Sequence, residues 1–213
     1  MRTRTAVSLS ILLSVVTSVP ALGQGFYLGG RGGFASSSYT LKEGDQRVED
    51  VEAQSGVMAG LLAGYQFAGM FSAEVDLMFA RKGFTVGGDD GSLYRFDYFQ
   101  VPVLARATFT EDNVVNPRVF AGPIFGFETR CQWTPAGQLE SGSCPFATNS
   151  TEIGILLGGG ITIGAPIQFT VDVIFDFGLT NIRSGDATES TYKSRRLGFL
   201  FGIEYSFWDR SEF

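Results

Sequence analysis

A chain of 213 residues with no break in composition reads as one domain, and its 28 glycines and 20 phenylalanines are unusual for a soluble domain of that size. Charged residues make up only 18% and the net charge is −6, which argues against nucleic acid or anionic lipid as a partner. The absence of histidine removes Ser-His triads, histidine-dependent acid–base work and histidine-ligated metal, so neither a cofactor nor an enzymatic role is expected.

The first 23 residues read as a secretory signal: Arg2 and Arg4 precede an apolar stretch from Ala6 to Val19, and Ala21-Leu22-Gly23 is a small-x-small cleavage site. Residues 24–213 then form the mature domain. No later stretch is long and apolar enough for a membrane helix, so a mature chain that spans a membrane must do so as strands. Alternation marks eight of them. The first runs from Phe26 to Phe34, the second from Val57 to Phe67, the third from Phe71 to Lys82, and the fourth from Tyr94 to Phe109. The fifth runs from Arg118 to Arg130, the sixth from Glu152 to Ile163, the seventh from Ile167 to Thr180, and the eighth from Arg196 to Phe207. Phe71-Ser72-Ala73-Glu74-Val75-Asp76-Leu77-Met78-Phe79 shows the pattern: every odd residue is apolar and both carboxylates are even. Pro102 and Pro123 fall inside strands and read as local bulges.

Connector lengths alternate as well. Residues 68–70, 111–117 and 164–166 are short links, whereas 36–54, 83–93, 131–150 and 181–195 are long and polar. An all-β, eight-stranded, antiparallel, up-and-down transmembrane barrel with short periplasmic turns and longer outer loops has this rhythm. A soluble barrel would turn the apolar face inward, but an eight-stranded interior holds only modest side-chain volume. Here one face carries Phe or Tyr on nearly every strand and the other is largely glycine with a few charges, so the bulky groups must face lipid.

That orientation puts Arg31, Arg106 and Arg196 in the lumen with Glu74, Asp76, Asp172, Asp176 and Glu204. Buried charges need partners. Strand adjacency predicts Arg106 against Glu74 or Asp76, and Arg31 against Glu204 with Asp172 nearby. Such a network can plug the barrel; the alternative is a narrow, carboxylate-lined pore that prefers cations. Cys131 and Cys144 lie in one polar stretch of an exported chain, which reads as a disulfide closing a 14-residue loop, worth about 3 kcal/mol in loop-closure entropy. Trp133 inside that braced loop is a candidate contact for a partner.

Several segments together resemble the PorT-like outer-membrane β-barrel family: Phe71-Ser72-Ala73-Glu74-Val75-Asp76 leading to Arg81-Lys82-Gly83, then Asp97-Tyr98-Phe99-Gln100-Val101-Pro102-Val103-Leu104, Phe120-Ala121-Gly122-Pro123, and Phe177-Gly178-Leu179-Thr180-Asn181-Ile182. They follow in order over most of the mature chain. The resemblance implies an eight-stranded barrel and makes the two prolines family features; it brings no catalytic residues. One branch of that family is linked to protein secretion. The expected role is therefore a non-enzymatic structural or interaction component of the bacterial envelope, working through its outer loops as a monomer surrounded by outer-membrane lipid, with envelope or secretion proteins as partners.

Overall fold

Eight long strands follow one another in the computed structural model, which describes residues 25–43, 46–47, 51–87, 91–109, 114–138, 140–144, 150–180 and 190–207. The expected signal segment lies outside them. We label the strands β1 (Gly25–Glu43), β2 (Val51–Ala68), β3 (Phe71–Val86), β4 (Ser92–Thr108), β5 (Val115–Thr134), β6 (Thr151–Ile163), β7 (Ile167–Gly178) and β8 (Ser190–Ser206). Each pairs antiparallel with the next, and β8 pairs with β1, so the sheet closes into a barrel with no free edge. Two-residue strands at Gln46–Arg47 and Gly142–Ser143 add to the rims of β1 and β5.

The stagger fixes the barrel's shape. A hydrogen-bonded row starting at Phe26 passes through Tyr65, Ala73, Ala105, Ala121, Leu157, Phe175 and Leu197, then returns to β1 at Ser36, ten residues further on. For eight strands, that shear corresponds to a strand tilt of about 40°. Tight turns sit at one end. Gly69 (φ +44°) lies between β2 and β3, and Gly164 (φ +97°) between β6 and β7, both in the left-handed region where a side chain would be strained.

Outward positions carry the large apolar groups: Phe26, Phe34, Leu61, Phe71, Phe79, Phe125, Phe169, Phe175, Phe199 and Phe201 are all exposed. On β3 they run from Phe71 to Phe79, about 26 Å along the strand and about 20 Å along the barrel axis, close to the ~25 Å apolar band of a membrane barrel.

The strands differ from the sequence reading in two ways. At the outer end they are longer: β1 continues to Glu43, β3 to Val86 and β5 to Thr134, and β8 begins at Ser190, so much of the expected loop sequence is ladder. Above the apolar band the outward face turns polar while aromatics such as Tyr39, Phe84 and Phe96 move to the inward face, so the apolar-out alternation ends although backbone pairing continues. The prolines also do not sit at bulges. β4 and β5 keep one register from Pro102–Ile124 to Ala105–Ala121, and Pro123 is in register with Ile155 on β6. The shifts fall at Ala53/Met58, Gln66/Ala68 and Asp97/Tyr98 instead. Pro123 points outward with its ring toward lipid, and ladder pairs are simply missing beside it.

Candidate functional site in the barrel lumen

Glycines make the lumen roomy enough for long side chains. A Cβ at Gly64 would overlap the ring of Tyr27, one at Gly158 the ring of Phe120, and one at Gly160 the carboxylate of Asp172. The inward residues then fall into layers, which can be read along single strands. On β3 they are Ser72, Glu74, Asp76, Met78, Ala80, Lys82 and Phe84 in order, all buried; on β7 they are Gln168, Thr170, Asp172, Ile174 and Asp176. From the turn end outward this gives a polar floor, an ionic layer, an apolar septum, a second ionic layer and an aromatic lid.

The inner ionic layer joins three arginines to four carboxylates. Arg106 reaches Glu74 (Nη1–Oε2, 2.5 Å) and Glu204 (Nη2–Oε2, 2.7 Å). Arg118 donates to Asp172 (Nε–Oδ1, 2.8 Å) and Glu204 (Nη1–Oε1, 2.6 Å). Arg31 pairs with Glu74 and with Asp76 (3.1 Å). Tyr27 donates its hydroxyl to Glu74 (3.0 Å), and the Arg106 guanidinium stacks 4.4 Å above the Tyr27 ring. Arg31 therefore does not meet Glu204. In the β1–β8 register Arg31 lies opposite Gly202, and the Glu204 oxygens are taken by Arg106 and Arg118. The Arg31 side chain instead crosses the inner face of β2 to Glu74 and Asp76 of β3.

The outer ionic layer is built from Lys82, Glu152, Asp176 and Arg196. Lys82 Nζ holds both oxygens of Glu152 (3.0 and 2.9 Å) and lies 3.5 Å from Asp176. Arg196 meets Asp176 at 2.6 Å and donates to Gln100 at 2.8 Å. Between the two layers lies the septum, which contains Met58, Met78, Leu104, Phe120, Ile124, Leu156, Ile174 and Leu200, none more than 4% exposed. Above the outer layer, Tyr39, Phe84, Phe96 and Tyr98 form the lid, with Tyr94 and the Cys131–Cys144 disulfide packed on it.

Sequence reasoning missed Arg118, Lys82 and Glu152. All three stand at the ends of the strands drawn from alternation, but each continues the inward parity of its strand, and counting in twos from Phe120, Ala80 or Gly154 finds them. Trp133 is a correction of another kind. It lies in β5, paired with Tyr94 and Gly142, and is half-buried rather than displayed on a loop. The strand runs further than its apolar pattern because the added Gly142–Ser143 strand extends the sheet there.

A closed eight-stranded barrel with its bulk turned outward and its charges paired inside is a transmembrane β-barrel of the outer-membrane class. Residues 20–184 match the family described as the outer membrane protein beta-barrel domain, and the chain belongs to that family. No curated protein matches it in sequence. In fold it is similar to Neisserial surface protein A (TM-score 0.54, 14% identity, covering 87% of this chain and 100% of that one). It is equally similar to OprG from Pseudomonas aeruginosa (TM-score 0.54, 15% identity, covering 87% and 97%). AlkL, solved in lipid bilayers, gives a TM-score of 0.51 at 13% identity, covering 91% and 97%. These likenesses establish a shared fold.

Proposed function

We propose that this outer-membrane barrel does not conduct ions or catalyse a reaction, and that it serves the envelope as a structural or interaction component presented at its outer end. The observation that carries this reading is the apolar septum. A hydrated cation moving along the lumen would have to displace tightly packed Met, Leu, Ile and Phe side chains between two layers whose carboxylates are already engaged by Arg or Lys. The charges are then internal cross-links. Support for the outer end comes from strands that continue beyond the lipid band and from the Cys131–Cys144 brace on the aromatic lid beside Trp133. The resemblance to PorT-like barrels favours an accessory of a secretion or envelope complex. Residues 1–23 act as a cleaved signal, and the closed ladder, which leaves no edge for strand exchange, favours a monomer.

The test is conductance of the refolded barrel in a planar bilayer, with folding verified by the mobility difference between boiled and unboiled samples on a gel. A folded, inserted barrel that stays silent is the expected result. Reproducible cation-selective steps whose selectivity shifts in Asp172→Asn or Glu74→Gln would overturn the reading in favour of a pore.

A further inference from the structure

Two inward glycines of β1, Gly29 and Gly33, are forced by close approach, but two outward ones are not. A Cβ at Gly29 would lie 2.5 Å from the backbone oxygen of Ile203, and one at Gly33 would overlap that of Phe199. At Gly30 the nearest atoms would be 3.6 and 3.8 Å away, and at Gly32 the nearest would be 3.4 Å away, so side chains fit at both. Glycine within a strand forfeits packing and chain entropy. The sequence nevertheless withholds side chains here, while Phe26, Leu28 and Phe34 fill the flanking outward positions of the same strand. The result is a groove of about 980 Å³ on the lipid face, floored by Gly30, Gly32 and Ala59 and walled by Leu61, Phe201 and Ile203.

Above this groove the chemistry changes sign. On β8, just past the apolar band, Lys193 and Arg195 point outward, Arg195 beside Ser38 and Lys193 beside Thr40 of β1. Among the described residues neither makes an ion pair, unlike Arg81 further round the rim, which Asp97 holds at 2.7 Å. Gly32 to Ser38 is six residues, about 20 Å along the strand and about 15 Å along the axis, the hydrocarbon depth of one leaflet. The net charge of −6 would suggest that anionic lipid is repelled, but fields at a wet surface are screened within about 8–10 Å, so the local pair of cations governs.

We propose that the β8–β1 wall binds a phosphate-bearing lipid of the outer leaflet, its phosphate on Lys193 and Arg195 and one acyl chain in the groove over Gly30 and Gly32. Charge complementarity above and an unfilled apolar channel below fit one such molecule. The inference stands whether or not the lumen conducts.

Native mass spectrometry of the barrel folded in neutral maltoside detergent tests it, with bisphosphorylated lipid A and its dephosphorylated counterpart as probes. One bisphosphorylated lipid should be retained per barrel, at least tenfold more tightly than the phosphate-free form. The pair Lys193→Gln and Arg195→Gln should weaken retention by roughly tenfold or more. The pair Gly30→Val and Gly32→Val should weaken it comparably without lowering the unfolding midpoint in lipid-free detergent. If either double variant fails to show heat-dependent gel mobility, Arg195→Gln and Gly30→Ala replace them. Equal retention of both probes, or retention indifferent to the substitutions, overturns the proposal. So does a doubled mass abolished by Gly30→Val, which would put a second barrel in the groove.

Discussion

Replacing Arg118 by Met keeps most of the side chain's bulk and deletes its charge. In the folded barrel this leaves Asp172 without an ion-pair partner among the described residues, because Arg118 alone pairs with it, whereas Glu204 retains Arg106 at 2.7 Å. Both members of the Arg118–Asp172 pair are essentially fully buried. Breaking a buried pair by removing one partner costs about 3–5 kcal/mol, chiefly as the penalty for the charge left behind. The single variant should lose that much in urea unfolding of the vesicle-inserted barrel, followed by far-ultraviolet circular dichroism. Adding Asp172→Asn removes the stranded charge and should recover about half of the loss, so the cycle closes with a favourable coupling well above ~0.5 kcal/mol. A midpoint for Arg118→Met equal to the parent's, or a double variant that falls by the sum of the singles, would refute the pairing and with it the idea that the lumen charges act as cross-links.

Arg81→Ala is the exposed counterpart: with its side chain 43% exposed, the pair it makes with Asp97 should contribute no more than about 1 kcal/mol in the same assay, less at high salt. Gly64→Ala should lower the unfolding free energy by about 1–3 kcal/mol or abolish heat-dependent gel mobility, since the added methyl overlaps Tyr27, while Gly30→Ala should leave both unchanged. Cys131→Ser with Cys144→Ser should expose the segment between them to limited proteolysis, because among the described residues the Gln132–Ser143 and Trp133–Gly142 pairings and the Thr134–Ser141 hydroxyl contact are then what tie it to β5. The membrane-embedded barrel should keep its gel mobility; a hairpin equally resistant with and without the bridge would show that the disulfide adds nothing to its order.

Most of the architecture is written locally. Period-two alternation in Phe71–Phe79 or Ile167–Phe177 names a strand and its two faces, and side-chain volume alone decides which face meets lipid, because an eight-stranded lumen cannot hold that many phenylalanines. Short turns against long connectors gave the meander and its antiparallel neighbours. Strand adjacency supplied the Arg106–Glu74 pair but not the partners of the other lumen cations. Arg31 pairs across β2 with β3, Arg118 reaches from β5 to β7 and β8, and Lys82 reaches from β3 to β6, so these contacts run across the lumen rather than between neighbouring strands. A stagger of ten residues round the barrel sets which inward positions share a level, and so selects those pairs. The septum likewise exists only in three dimensions. Ile174 and Leu200 are single large apolar residues in inward rows of polar groups and glycine, and Met78 with Ala80 lies between Asp76 and Lys82; closure of the sheet is what brings them to one level and seals the lumen.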